Sequence, residues 1–508
     1  MSSGQNSQAH NAELPQRFGS FSIIALAFVM TNSWCAYTTT FVVALSAGGS
    51  PAVFWAPVVA AIACCFICAG MAELASAFPS SGGPYYYAYM VSTEKYRASV
   101  AYVVGWLSVL AWLFAFSSIC IYTAQILLAL ASFYHPSYVA TQWQVWIVYT
   151  GIIIICTLIA SLLPRLIPLL NSLIFWVSIL GFLTSVVTLL AVSGAKQSGS
   201  VVFTEWINQT GWDDGLAFLL AVGQCMFCFM CIDAAAHLSE QLRKPSRDIP
   251  RAMTASVLIG FLTIVPYALA ILFSITDFTP IISSSLPVLE VYHQALNSRG
   301  GAMFFAVVIL VICFGGCIAG IIGIGYLIRA FARDNGVPFS GVFSKIQPEL
   351  QTPLNSMILT AIFSILYGLI YIGSTEAFNS FISTSVLTLY TAYVVPQGIT
   401  LWRGRDRVLP EHWFNLGRIF GPFCHLFSCL WMALYTVIFC FPLYLPVTVK
   451  SMNYVSVVYG GSLVFIAAMW ILHGKRGFTG PQSEDFEPEM STTQDEADST
   501  HPSENKIQ

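Results

Sequence analysis

Asp233, His237 and Glu240 stand close together in one of the most apolar parts of the chain, "FCFMCIDAAAHLSE" (227–240). At i, i+4 and i+7 they share one face of an α-helix. Such a face has three kinds of chemistry open to it: metal ligation, ion pairing with cations, and uptake and release of a proton. Metal ligation is the weakest, because one helix offers poor geometry for a tetrahedral site and the eight histidines are scattered; no metal and no cofactor are expected. An ionised carboxylate at a bilayer centre costs about 2.5–3.5 kcal/mol, so it faces a cavity or a partner. Asp233 is therefore the sharpest single residue, with an Asp that merely pins its helix as the structural alternative. Glu240 is expected to pair with a basic residue in a gate, and His237 to be a satisfied polar residue beside it.

The elements that must position these groups follow from hydropathy. A mean hydropathy of +0.73, with repeated apolar runs of 18 residues or more, describes a polytopic all-α membrane protein. Helices satisfy their own backbone polar groups in hydrocarbon, and the alternation of a membrane barrel is absent. Twelve spans are predicted, at 20–46, 51–75, 98–131, 144–163, 167–193, 214–238, 251–276, 301–330, 354–374, 377–400, 423–445 and 455–473. With the N-terminus in the cytoplasm, 18 of the 21 Lys and Arg residues lie inside and only Lys196, Arg299 and Lys450 outside, as the positive-inside rule requires. Both termini are thus expected in the cytoplasm.

The start, residues 1–17, is polar, lacks a signal-peptide pattern, and is expected to be disordered; a permeation domain would occupy 18–476. The tail, 477–508, is acidic and Ser/Thr-rich, with almost nothing to bury. It is expected to be disordered, cytoplasmic and open to regulatory factors. Most of the fourteen cysteines lie inside apolar runs, where Cys acts as a small hydrophobe. Asn208-Gln209-Thr210 is a glycosylation sequon in a loop this topology puts outside. The basic stretch "LRKPSRDIPRAM" is expected to be a loop leading into span 7 and a topology signal. Nucleic acid is not expected as a partner; the lipid bilayer is.

Several separate motifs, in order, resemble amino acid permeases of the amino acid–polyamine–organocation superfamily: "AELASAFPSSGGPYYY" after span 2, Gly105-Trp106, and "YLIRAFARDNGVPFSGVF" after span 8. "TNSW" in span 1 and "IDAAAHLSEQLRKPSRDIPRAM" resemble the fungal branch that includes GABA permeases and choline transporters. The resemblance covers about 18–475. It implies five helices repeated in inverted orientation plus two more, with spans 1 and 6 discontinuous near the midplane where substrate binds. The residues themselves point to the same pair, since "TNSWCAYTTT" interrupts span 1 and Gln224 and Asp233 interrupt span 6. By the resemblance, Asp233 sits just past the span 6 break, with ammonium recognition or proton coupling as its implied role.

The expected solute-binding set is Thr31, Asn32, Ser33 and Trp34 in span 1, Tyr122 and Gln125 in span 3, and Phe227, Phe229, Met230, Cys231 and Asp233 in span 6. Trp34 and Phe227 or Phe229 are candidates for facing a quaternary ammonium. Asp233, His237, Glu240 and Asn171 are the candidates for coupling or gating. Many superfamily members carry Gly-x-Gly at the first break, whereas here no glycine occurs between Gly19 and Gly48. That weakens the case for an α-amino acid and leaves room for an amine without a carboxylate. Span 5 has no Lys, and "VICFGGCIAGIIGIG" of span 8 has no Ser or Thr to complete a sodium site, so a proton is the expected coupling ion; Gly316 and Gly320 suit close helix packing. The reading is a secondary active transporter, a proton symporter importing choline, GABA or another amino acid, at the plasma rather than the vacuolar membrane. The rivals are a non-transporting nutrient sensor on the same scaffold and a polyamine or amine exchanger; a membrane-embedded enzyme would need clustered catalytic groups.

Overall fold

Long apolar runs with few β-promoting alternations fold as helices in this chain, and a computed structural model describes them over residues 19–135, 137–194, 196–448 and 452–481. The long helices are α1 (Ser20–Thr31), α2 (Ser33–Ala77), α3 (Arg97–Tyr134), α4 (Gln142–Leu162), α5 (Ile167–Val192), α6 (Asp214–Met226), α7 (Pro245–Ser274), α8 (Arg299–Arg333), α9 (Leu354–Tyr367), α10 (Thr375–Arg403), α11 (Phe420–Ile438) and α12 (Val455–Met469). Among the described residues the only extended pairing is one bridge between Gln347 and Thr352. Among the described residues ten continuous helical stretches are long and apolar enough to cross a membrane. The first, Ser20–Ala77, holds 58 residues, far more than the ~20 one crossing needs, and its backbone leaves helical geometry at Gly48 and Gly49. Reading it as two crossings and adding the 29-residue α10 gives twelve segments. The expected disordered regions lie outside the described residues, except that 477–481 is described and Phe478 is buried against Tyr102 and Phe331.

Two interruptions organise the centre. Asn32 takes a left-handed conformation (φ 26°, ψ 59°) between α1 and α2, one that Asn tolerates better than most residues. After α6 the chain winds as a 3₁₀ turn over Phe227–Phe229, extends at Met230, and turns left-handed at Cys231 (φ 61°). It then continues as a 3₁₀ helix over Ile232–Gln241. Carbonyls freed by this break need donors, and the Tyr390 hydroxyl of α10 donates to those of Met226 and Phe229 at 3.2 and 3.0 Å. The α-helical face expected at 233–240 is thus replaced by the tighter 3₁₀ winding.

Packing brings the breaks together. α2 runs along α6 and α7, while α3 packs on α8 and α10. Gly316 and Gly320 of α8 face Ile119 and Phe116 of α3, where added Cβ atoms would come within 2.6 and 3.0 Å. The basic stretch before α7 is not a loop throughout: the helix begins at Pro245, a favoured first position, and passes through Pro250. Pro250 has no N–H for the Ser246 carbonyl, which instead accepts from Ser76 Oγ at 2.9 Å. Between α7 and α8 the chain forms two short helices, Phe278–Ser283 and Pro287–Leu296.

Candidate functional site

Between the two breaks lies a cavity of about 410 Å³, within the usual size of small-molecule sites. Thr31, Asn32, Cys35 and Thr38 of the first break, and Phe227, Met230 and Cys231 of the second, form one side. Trp112, Phe116, Tyr122 and Gln125 of α3 and Ile312 and Cys313 of α8 form the other. Among the described residues none of its lining is Asp, Glu, Lys, Arg or His. Its mouth is at the end carrying exposed Asn379 and Ser285. Within it, Thr38 and Tyr122 hydroxyls pair at 2.7 Å, and Gln125 Nε2 donates to the Tyr371 hydroxyl at 3.1 Å. Asn32 Oδ1 accepts from Ser178 Oγ at 3.0 Å, and that hydroxyl accepts from Trp34 Nε1 at 2.9 Å. This chain holds the left-handed Asn32 in place and leaves its buried Nδ2 without a partner among the described residues.

Asp233 sits behind the wall rather than in it. The indole of Trp112 lines the cavity and its N–H donates to Asp233 Oδ2 at 3.3 Å. Tyr393 of α10 donates to Oδ1 at 2.6 Å, and His237 Nε2 lies 3.1 Å from Oδ2. Both side chains of the Asp233–His237 pair are fully buried. The left turn at Cys231 carries the next residues beneath the cavity floor, so Asp233 meets α3 and α10 instead of open space.

Further from the mouth, Glu240 closes the bundle. It accepts from Arg329 and Arg333 of α8 at 2.7 and 2.8 Å and from Ser81 Oγ at 2.8 Å. Glu240 therefore has the basic partners expected of a gate, and the three ionisable residues divide into an Asp–His pair and a separate ion pair. A second buried cluster lies at the end of α2. The Glu73 carboxylate takes Arg405 Nε and Nη2 at 2.8 and 2.5 Å and the Leu416 N–H at 2.8 Å. His412 Nε2 lies 3.4 Å from it.

Of the expected binding residues, the structure brings Thr31, Asn32, Tyr122, Gln125, Phe227, Met230 and Cys231 to the cavity. Ser33, Trp34 and Phe229 are buried behind it: Trp34 stacks edge-on against Tyr267, and Ser33 packs against Gly260, where a Cβ would come within 2.2 Å of its hydroxyl. Asn171 is buried in α5 away from the cavity. Trp112, Phe116, Cys35 and Cys313 were missed; an isolated aromatic or Cys in an apolar helix carries no sign of facing a cavity. Asn208, the sequon residue, donates through Nδ2 to the Trp212 carbonyl and to Asp214 at 2.8 and 3.0 Å, so the atom that would carry a glycan is engaged.

Comparison with known proteins matches the amino acid permease family to residues 18–463. The chain is 31% identical over 487 residues to a choline transporter of Saccharomyces cerevisiae, covering 95% of this chain and 86% of that protein. It is 29% identical over 473 residues to an uncharacterized amino-acid permease of Schizosaccharomyces pombe, covering 92% and 87%. It is 28% identical over 466 residues to a swainsonine transporter of Arthroderma benhamiae, covering 91% of each.

Proposed function

This chain belongs to the amino acid permease family, and from that premise we propose that it imports a small cationic or zwitterionic nitrogenous solute, with choline first among the candidates, by proton-coupled alternating access. The observation that carries this reading is the cavity between the two breaks, whose walls among the described residues hold aromatic rings, hydroxyls and thiols but no formal charge. An anionic solute would find no cation among the described residues there. A quaternary ammonium finds the rings of Trp112, Phe116, Tyr122 and Phe227, whose faces attract a desolvated cation. The unpartnered Asn32 amide suits an oxygen of the same solute, hydroxyl or carboxylate. The likeness to a choline transporter favours choline, and the permease relatives keep GABA and other amino acids as candidates.

The end closed by Glu240, Arg329 and Arg333 is the cytoplasmic one, because the basic loops gather there. Transport then consists of closing the mouth near Asn379 and Ser285 and opening the ion-paired end, with the plasma membrane as the proposed site. A proton fits as the coupling ion, since α8 offers no Ser or Thr beside the first break for a sodium site. The test is competition among choline, GABA, arginine and spermidine for uptake by cells expressing the chain. Saturable choline uptake resistant to spermidine supports the reading; absence of uptake for all four contradicts it.

A further inference from the structure

We infer that Asp233 and His237 form a single shared site for the coupling proton, with the Ser81 backbone as the positioning group that fixes the imidazole. This rests on the proton-coupled reading above. His237 Nδ1 lies 3.1 Å from the Ser81 carbonyl oxygen. A carbonyl only accepts, so Nδ1 carries hydrogen. Nε2 lies 3.1 Å from Asp233 Oδ2. If the ring is neutral, Nε2 is an acceptor and the carboxyl must donate to it. If the ring is protonated at both nitrogens, it donates to a carboxylate. Either way one proton lies between the two residues and the pair is neutral overall.

Removing that proton leaves two lone pairs facing each other at a site where neither side chain reaches solvent, an arrangement that buried polar groups do not tolerate. The ring or the carboxyl must then turn away. What turns away is held by several elements: Asp233 by Tyr393 of α10 and Trp112 of α3, His237 by the loop before Pro84. The ring also packs edge-on against Trp112, with centroids 5.3 Å apart. Gly83, at φ 57°, leaves room for it; a Cβ there would come within 3.1 Å of the imidazole. The proton therefore binds the closed arrangement in preference to an opened one, which is the differential affinity that coupling needs.

The other titratable groups facing the pair are Tyr87, Tyr393 and Cys231. Charged groups lie beyond Ser81, whose hydroxyl donates to Glu240 beside Arg329 and Arg333. On release, the Nε2–H or O–H bond breaks, the proton passes to water admitted when this end opens, and Nδ1 keeps its hydrogen. Trp112 contacts both cavity and Asp233, so an occupied cavity bears on the proton site.

The experiment is pH-difference infrared spectroscopy of the full chain in lipid nanodiscs, with no solute, following the carboxyl or carboxylate band that Asp233→Asn removes. His237→Gln is expected to move the pH at which this band changes by about one unit or more, the mark of interacting sites. Trp112→Phe removes a donor to the carboxylate and is expected to move it upward, and it guards against a misfolded His237 variant. An unmoved band in the His237 variant, with the Trp112 variant showing that the band responds to its neighbours, overturns the inference. Uptake that requires sodium and ignores a pH gradient sinks the proton-coupled reading instead, so the two failures are distinguishable.

Discussion

Trp34 and Trp112 are both buried indoles beside the breaks, and what each N–H meets separates their roles. Trp34 donates to Ser178 and so holds Asn32; it touches no cavity space. Trp34→Phe leaves a buried acceptor unpaired, which costs about 1–3 kcal/mol. The expected outcome is a lower midpoint in thermal unfolding with half-saturation for choline changed less than threefold. Trp112 forms the cavity floor, and a desolvated ring over a cation contributes about 1–2 kcal/mol. Trp112→Ala is thus expected to weaken choline competition about five- to thirtyfold, and equal affinity to wild type would remove the ring from the account. The types of Trp34 and Asp233 were legible in the sequence, their direction was not. Spacing puts a residue on a face, but a left-handed turn such as Cys231 redirects everything after it.

At the scale of elements, the Glu73 cluster ties the end of α2 to the segment between α10 and α11. Glu73 is fully buried and Arg405 nearly so, and breaking one side of a buried pair costs about 3–5 kcal/mol. Glu73→Gln is expected to lower thermal stability by that order, read as loss of monodisperse protein on heating. His412 adds a pH dependence. Its Nδ1 lies 2.6 Å from the Pro410 carbonyl, so both nitrogens donate when Nε2 meets Glu73. The Glu73 carboxylate accordingly raises the His412 pKa above the ordinary histidine value, which is about 6.5. The stabilisation is present in full below that ordinary value and is lost as pH climbs through the raised folded-state value. Wild-type stability should fall across that window, and His412→Gln should flatten the fall; a parallel decline in the variant excludes His412 as its source. The second break was legible because "FCFMCI" precedes a carboxylate in an apolar run. The Glu73 cluster was not, since nothing in a sequence pairs positions 332 residues apart.

For the whole molecule, the length and order of apolar runs made the membrane-spanning helices legible, because a bilayer imposes a minimum length on every crossing. Cavity walls were less legible, since wall and lipid-facing residues of such helices are drawn from the same apolar set. The proposed gate is a property of the assembled chain: ion pairs join Glu240 to Arg329 and Arg333 of α8. Glu240→Gln is expected to increase labelling of Cys231 by a membrane-impermeant maleimide applied from the cytoplasmic side, measured by mass spectrometry; unchanged labelling would mean that other contacts seal this end. The central claim, proton-driven import through the uncharged cavity, is tested most directly in proteoliposomes of the full chain loaded with alkaline, sodium-free buffer and diluted into acidic, sodium-free medium containing labelled choline. The account predicts transient accumulation above the external concentration that collapses when a protonophore is added. Accumulation only when sodium is supplied, or none under any gradient, would contradict it.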